Sequence, residues 1–191
     1  VTGAELLSLE TRNGKIIAQI RKQKPEAACT TTVDKAGNKT IVVFSDDLDK
    51  ALASFVIANG AAATGRKVSM FFTFWGLNVI KKRQKPAVSK DIFGRMFGWM
   101  MPSHSGRLRL SKMNMFGMGS RMMRMIMRRK RIDSLESLIQ QACDNGVEMI
   151  ACTMSMDVMG VRQEELLDNV VLGGVASYLE RTEQANLNLF I

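Results

Sequence analysis

The chain has 191 residues, which is enough for one domain with a substantial core or for one domain with an appendage. Hydrophobic residues make up 46% and charged residues 24%, so the composition excludes a chain that stays disordered for lack of apolar side chains. The formal net charge of +9 at pH 7 suggests nucleic acid or an anionic membrane as a partner, and its meaning depends on where the charge lies.

The positive excess lies entirely in residues 81–131. This segment holds fifteen of the 27 Lys and Arg, one of the 18 acidic residues and ten of the fifteen Met, so its formal charge is +14 and the rest of the chain carries −5. Its apolar runs are shorter than the ~20 residues that a membrane-spanning helix needs. Few aromatic residues and no recognised binding motif accompany the charge, so nucleic acid is not favoured as a partner. We interpret the segment as a basic, Met-rich insertion.

Cysteine and histidine content excludes several common kinds of site. Cys29, Cys143 and Cys152 are too few for a disulfide framework, and no pair has the C-x-x-C spacing of a zinc or redox motif. With His104 as the single histidine, a multi-His metal centre lacks its ligands, and a Cys–His or Ser–His–Asp site would need His104 itself to reach it from the insertion. We predict a protein of a reducing compartment, the cytoplasm, with no metal site and no cofactor.

The first 39 residues are predicted to form a small appendage. Two apolar stretches flank Asn13-Gly14, a strong turn signal, so residues 1–24 predict a pair of antiparallel strands. Residues 25–39 are polar and rich in turn residues, which is typical of a linker. A separate domain is therefore expected over residues 40–191.

Strand patterns alternate with helix patterns in this domain. Thr40 to Phe44 is a β-branched run typical of a strand that is buried on both faces. A helix follows it, with Asp46 or Asp47 as the N-cap and an end at Gly65. A second strand spans Val68 to Phe74, which completes a strand–helix–strand unit.

The alternation resumes after the insertion. The elements predicted there are a helix from Asp133 or Ser134 to Ala142, a strand from Val147 to Cys152, a helical turn from Ser155 to Met159, a strand over Val170 to Leu172, a helix from Gly173 to Ala185 and a strand from Leu187 to Ile191. The alternation predicts an α/β fold: a doubly wound, mostly parallel five-stranded sheet with helices on both faces.

In open α/β sheets, ligands bind beyond the carboxyl ends of the strands, at the point where the strand order reverses. We expect the strands Thr40 to Phe44 and Val147 to Cys152 to flank this crevice. Cys152 would then lie in the crevice, just before a helical turn whose N–H groups would stabilise a thiolate. The neighbours expected around this candidate catalytic residue are Ser45, Asp46, Asp47, Thr153, Ser155 and Asp157.

Simpler interpretations apply to the same residues. Free cysteine is among the most buried residue types and often serves as a small hydrophobe, which is the interpretation favoured for Cys143 and kept open for Cys152. Asp46 and Asp47 also suit plain helix caps. Cys29 lies in the predicted linker, where an incidental thiol is favoured.

Three stretches of the sequence resemble the DsrE/DsrF/DsrH-like family: Val42 to Ala53, Phe71 to Leu77 and Ala151 to Gly160. The resemblance covers about residues 40–191, and it is closer to the branch with a Met-rich basic insertion, often labelled peroxiredoxin-like. It implies a flavodoxin-like fold, homo-oligomerisation and sulfur relay. In the family motif, Cys152 is the position of the cysteine that carries sulfane sulfur as a persulfide.

The appendage resembles the carboxyl-terminal end of a TusA-like sulfur-carrier domain, in Gly3 to Glu10 and Ile20 to Lys22. That domain's own cysteine motif would lie before Val1. In similar proteins these modules follow a rhodanese domain or a flavin-dependent disulfide reductase. The resemblance therefore implies a piece of a longer protein, with rhodanese-like or TusA-like domains as sulfur donor and acceptor.

Residues 120–131 fit an amphipathic helix, with arginines on one face and Met and Ile on the other. With Trp99, these arginines form a candidate surface for a membrane or a partner protein: Arg121, Arg124, Arg128 and Arg131. The helix would lie on an anionic membrane, dock on a partner, or pack its Met face in an oligomer. Packing is favoured, because a Met stripe is more often core than ligand site.

Two functions of different classes remain. The first is a sulfurtransferase or persulfide carrier. The second is a non-catalytic binding module that engages a partner or an anionic membrane through the insertion, which would place this cytoplasmic protein at the membrane periphery. A flavin-binding function ranks last, because Ser45, Asp46 and Asp47 stand where a phosphate-binding loop needs N–H donors.

Overall fold

The chain divides into two units, Val1–Lys35 and Ala36–Ile191. The computed structural model describes residues 4–12, 15–22, 37–84, 96 and 101–191. In the first unit, strands β1 (Ala4–Arg12) and β2 (Lys15–Lys22) pair antiparallel, as the sequence predicts. The predicted turn and most of the predicted linker lie outside the described residues.

Five strands form the sheet of the second unit, and all of their pairings are parallel. They are β3 (Asn38–Val43), β4 (Val68–Phe72), β5 (Glu148–Cys152), β6 (Val170–Gly173) and β7 (Ala185–Phe190). Their order across the sheet is β6-β5-β4-β3-β7. The predicted α/β fold with a five-stranded sheet is confirmed.

Helices lie on both faces of this sheet. Helices α1 (Leu48–Ala63) and α3 (Leu135–Asp144) pack over one face and form the main core with it. On the other face, Tyr178 of α5 (Val175–Glu183) packs against a small buried cluster. Successive side chains of β3 point to opposite faces of the sheet. Ile41 and Val43 join the main core, and Val42 contacts the small cluster.

One expectation about the sheet is wrong. The strand β5 was expected beside β3 at the reversal of strand order, but β5 lies between β4 and β6, and the strand on the free side of β3 is β7. The chain steps outward in one direction from β3 to β6, and only the last strand crosses to the other side. Local patterns predict that a strand forms, whereas its neighbours depend on the crossovers between strands.

A close backbone contact fixes the turn after β4. The 3₁₀ helix Phe74–Ile80 begins there, and the Gly76 N–H donates to the carbonyl of Phe44 at 2.8 Å. A Cβ at Gly76 would lie 2.0 Å from the carbonyl oxygen of Val43. Only glycine allows this approach, so the turn packs directly on the end of β3.

The insertion is described in part, and residues 85–95 and 97–100 lie outside the described residues. It contains helix α2 (Met118–Arg129), two residues earlier than predicted, and short 3₁₀ helices at Ser105–Arg107 and Met115–Gly117. Within the described part of the chain, no helix is both long and apolar enough to cross a membrane.

Candidate functional site

Cys152 is the last residue of β5 and immediately precedes helix α4 (Thr153–Met159). Its side chain is 1% exposed and belongs to the small cluster with Phe71 and Ile150, on the face covered by α5. The predicted strand end and helical turn are therefore both present. The thiol itself lies in an apolar enclosure, out of contact with bulk solvent.

Tyr178 packs against this small cluster. Its ring stacks on that of Phe71 with the centroids 4.9 Å apart, and its hydroxyl lies 3.3 Å from the Thr40 hydroxyl. Helix α5 is held by Arg181, which donates two hydrogen bonds of 2.6 and 2.7 Å to the carboxylate of Glu148. These bonds lower the pKa of Glu148. Helix α5 is thus pinned to the first residue of β5.

Ser155, in the first turn of α4, is the one fully buried residue among the predicted neighbours of Cys152. Its hydroxyl lies 2.8 Å from that of Thr73, at the end of β4. Thr153 and Asp157 lie on the exposed side of α4. The hydrogen bond between Ser155 and Thr73 therefore ties the start of α4 to the adjacent strand.

Asp46 is part of a buried polar chain that begins at the end of β3. Its carboxylate accepts from the Asn78 side chain at 2.9 Å, and Asn78 in turn accepts from the Lys81 ammonium at 2.7 Å. Asn78 is fully buried and Lys81 is 7% exposed. Burial raises the pKa of Asp46, and the Asn78 hydrogen bond offsets this only in part.

Ser45 and Asp47 form a separate local network at the start of α1. The Ser45 hydroxyl donates to Asp47 at 2.9 Å, and the Lys50 ammonium lies 2.8 Å from the same carboxylate. Asp47 occupies the N-cap position, yet its side chain makes no capping hydrogen bond. The predicted cap position is correct, but the carboxylate bonds its neighbours instead of the helix N–H groups.

The fold does not place these acidic residues against Cys152. Neighbouring strands lie about 4.8 Å apart, so β3 and β5, with β4 between them, are separated by about 10 Å. Asp46 and Asp47 instead line a cavity of about 280 Å³ with Trp75, Arg109 and Asn114, among others. None of the described residues that line it comes from β5.

Four residues around these sites were not predicted from the sequence: Thr73, Asn78, Lys81 and Tyr178. Thr73 was overlooked because β4 was not expected next to β5. Asn78 and Lys81 carry no local signal of burial, but once they are buried their polar groups need hydrogen-bond partners. Tyr178 is the single tyrosine of the chain, and it lies on a helix with few other large apolar residues.

Helix α2 carries an apolar stripe and arginines, and the predicted packing of its Met face in an oligomer stays a prediction. Met118, Met122 and Met125 are 63%, 49% and 64% exposed, so among the described residues nothing covers this apolar stripe. Arg124 instead turns toward the domain, where it donates to the Ser105 carbonyl at 2.9 Å and lies 3.5 Å from the Glu136 carboxylate.

The remaining predicted surface residues are divided between two places. Arg128 and Arg131, with Arg124, line a cavity of about 470 Å³ beside the start of α3. Arg121 lines a different cavity of about 650 Å³, which Arg124 also borders. Trp99 lies outside the described residues.

The other cysteine that is described, Cys143, lies on α3. Its thiol is partly buried and accepts a hydrogen bond of 2.7 Å from the Asn169 side chain, and burial raises its pKa. Cys29 lies outside the described residues. Across residues 4–12, 15–22, 37–84, 96 and 101–191, no three His, Cys, Asp or Glu side chains are grouped to hold a metal ion.

The enclosure of Cys152 yields a first prediction. Replacing Tyr178→Ala removes the ring that covers the small cluster, so iodoacetamide should alkylate Cys152 at least about tenfold faster than in the wild type, because only an accessible thiol reacts. Peptide mapping after timed alkylation measures the rate at each cysteine. Tyr178→Phe keeps the ring and should react like the wild type, with Cys143 as the internal reference. Equal rates at Cys152 in all three proteins would show that Tyr178 does not control access.

Comparison with known proteins places the domain in a family. Residues 35–190 match the DsrE/DsrF/DrsH-like family. The chain is 46% identical over 152 residues to the uncharacterized protein YrkE of Bacillus subtilis, which covers 80% of this chain and 95% of that protein. It is 34% identical over 155 residues to the sulfur carrier protein DsrE2 of Allochromatium vinosum, which covers 79% and 96%.

A solved structure, that of the ychN protein from E. coli, covers 81% of this chain and 99% of its own, with 10% identity and a TM-score of 0.48. The family match spans most of the α/β unit and includes all five strands of its sheet. The resemblance read from the sequence motifs is therefore confirmed, and the chain belongs to the DsrE/DsrF/DrsH-like family.

Proposed function

We propose that this protein relays sulfur, by accepting sulfane sulfur as a persulfide on Cys152 and passing it to another thiol. The observation that carries the proposal is the position of Cys152 at the carboxyl end of β5 in a chain of this family. The 34% identity to a protein named as a sulfur carrier supports the same activity.

The transfer is a thiol–persulfide exchange. The Cys152 thiolate attacks the terminal sulfur of a donor persulfide, a new S–S bond forms at Cys152, and the donor's own sulfur leaves as a thiolate. A second exchange with an acceptor thiolate reverses these roles. No electrons are gained or lost overall, and no strong general base is needed, which suits a strand end without histidine.

Burial of Cys152 gives this mechanism a physical requirement. The donor sulfur must approach within bonding distance, so the cover formed by Tyr178 or the exposed start of α4 at Thr153 has to move. The same enclosure would protect a bound persulfide from solvent and from other thiols between the two transfers. We propose rhodanese-like or TusA-like domains as the donor and acceptor.

We further propose that a second copy of the chain covers the face outside Cys152. Helix α5 has no buried residues, and Val171, Val175 and Leu179 on this face are 50%, 52% and 53% exposed. Exposed apolar side chains grouped in this way are typical of contact surfaces. Homo-oligomerisation through α5 would restrict access to Cys152 further.

A second candidate function is a binding module that contacts an anionic membrane through the insertion. The specific observation in its favour is the exposed stripe of Met118, Met122 and Met125 on a helix rich in arginine. Apolar side chains beside positive charges suit the interface of an anionic bilayer.

The persulfide proposal is tested by mass. After incubation with a small-molecule persulfide donor, the intact wild-type protein should gain about 32 Da, the mass of one sulfur atom, at Cys152. Cys152→Ala should not gain it, whereas the matched control Cys143→Ala should load like the wild type. Loading that persists in Cys152→Ala, with cyanide-releasable sulfur at the wild-type level, would refute the assignment.

The oligomer proposal is tested by light scattering coupled to gel filtration. Val175→Glu places a charge in the proposed contact and should convert the assembly to a monomer, because an unpaired charge cannot be buried cheaply. Val56→Glu is the matched control, since Val56 is 56% exposed on α1, on the other side of the sheet. A monomeric wild type, or an assembly that Val175→Glu leaves intact, would contradict the proposal.

The membrane proposal is tested by co-sedimentation with vesicles of phosphatidylglycerol or of phosphatidylcholine. Wild type should bind the first kind and not the second. Met122→Ser/Met125→Ser should weaken binding at least about tenfold, because each buried Met side chain contributes ~1–2 kcal/mol. Met154→Ser/Val158→Ser, which changes two exposed residues of α4, is the control. Equal binding to both vesicles, or to neither, would remove this candidate.

A further inference from the structure

A cavity of about 650 Å³ lies between the loop of residues 105–112 and the start of helix α2. Four arginines line it: Arg107 and Arg109 come from the loop, and Arg121 and Arg124 come from the helix. No Asp or Glu is among the described residues that line it. The cavity therefore gathers four positive charges from two separate elements.

Most of this charge is uncompensated in the described part of the chain. The guanidinium groups of Arg107, Arg109 and Arg121 make no hydrogen bond or ion pair with the described residues, whereas that of Arg124 is held by Ser105 and Glu136. Asp46 and Asp47 line the neighbouring cavity of about 280 Å³, which shares Arg109. Like charges that converge on one concave surface repel one another and attract an anion.

The loop that carries Arg107 and Arg109 is fixed to the domain. Leu108, between them, is 1% exposed, and the carbonyl of Arg109 accepts from the Leu48 N–H at 2.7 Å, at the start of α1. Two residues on, the Ser111 N–H donates to Asp49 at 3.0 Å. The two arginines therefore project from an anchored backbone, which reduces the ordering cost of binding.

The start of α2 is packed equally closely on the segment before it. A Cβ at Gly119 would lie 2.1 Å from the carbonyl oxygen of Met113, so only glycine fits there. Asn114 accepts backbone hydrogen bonds from Gly117 at 2.7 Å and from Gly119 at 3.2 Å. This packing fixes where the helix begins and hence the spacing between Arg121 and the loop arginines.

We propose that this cavity binds an anionic phosphate ester. Guanidinium groups pair with phosphate oxygens through two parallel hydrogen bonds, which lysine cannot do. The volume is far larger than a single phosphate group, so it leaves room for an organic part of the ligand. Asn114 also lines the cavity, and its Oδ1 is buried without a partner in the described residues, so it would accept from a hydroxyl of that part.

Two sources share this chemistry, a soluble phosphate ester and the headgroup of an anionic phospholipid. Neither depends on sulfur relay, since Cys152 does not line the cavity. Of the exposed Met stripe, Met118 also lines the cavity, whereas Met122 and Met125 do not.

Calorimetric titration of the full chain with inorganic pyrophosphate tests whether anion binding needs the cavity arginines. Arg107→Gln/Arg121→Gln removes two cavity charges and should weaken binding at least about tenfold. Arg129→Gln/Lys130→Gln removes the same charge from α2 and the residue after it, outside the cavity, and should change the affinity less than about twofold. Circular dichroism of each variant checks that the fold is kept.

The same variants are compared on vesicles of phosphatidylglycerol and phosphatidylcholine. Pyrophosphate binding that needs the cavity arginines, without vesicle binding, assigns a soluble phosphate ester. Phosphatidylglycerol binding that needs them, with pyrophosphate as a weak competitor, assigns the lipid headgroup. If both double variants weaken binding equally, or if wild type binds neither probe, the cavity is not a phosphate site and the proposal is overturned.

Discussion

The contact between Gly76 and the end of β3 governs the arrangement of polar groups in this domain. Because a side chain at Gly76 would collide with the Val43 carbonyl, the backbone after β4 can lie directly on the preceding strand. The N–H groups of Thr73 and Gly76 then satisfy carbonyls at that strand end. This contact brings Asn78 to Asp46, and it sets the position of Thr73 beside the start of α4.

Asp46 and Cys152 lie in different surroundings, one polar and hydrogen-bonded and the other apolar. At the end of β3, Asp46, Asn78 and Lys81 form a chain of two side-chain hydrogen bonds beside the main core. Cys152 sits among apolar and aromatic side chains under a single helix. A thin cover over a thiol suits a group that must be both protected and reachable, whereas a dense polar network suits a structural role.

Much of the fold follows from local patterns that were readable in advance. Five strands and their helices are predicted by the β-branched run of β3, by Gly65 at the end of the first predicted helix, and by the alternation of strand and helix patterns. Each of these signals acts over a few residues. The position of Cys152 at a strand end follows in the same way. Which strands are neighbours was not predictable, since β7 returns to β3 from more than 140 residues away in sequence.

The sequence by itself determined that the chain forms an α/β domain, that one cysteine ends a strand, and that the basic charge is confined to one insertion. Periodicity and composition are local properties, so they need no knowledge of distant contacts. The tertiary structure alone decided that Asp46 and Cys152 lie two strands apart, that Tyr178 packs against the cluster that holds Cys152, and that four arginines share a cavity. Each of these depends on segments that meet only after the sheet has assembled, because strand order and helix packing are set by long-range contacts.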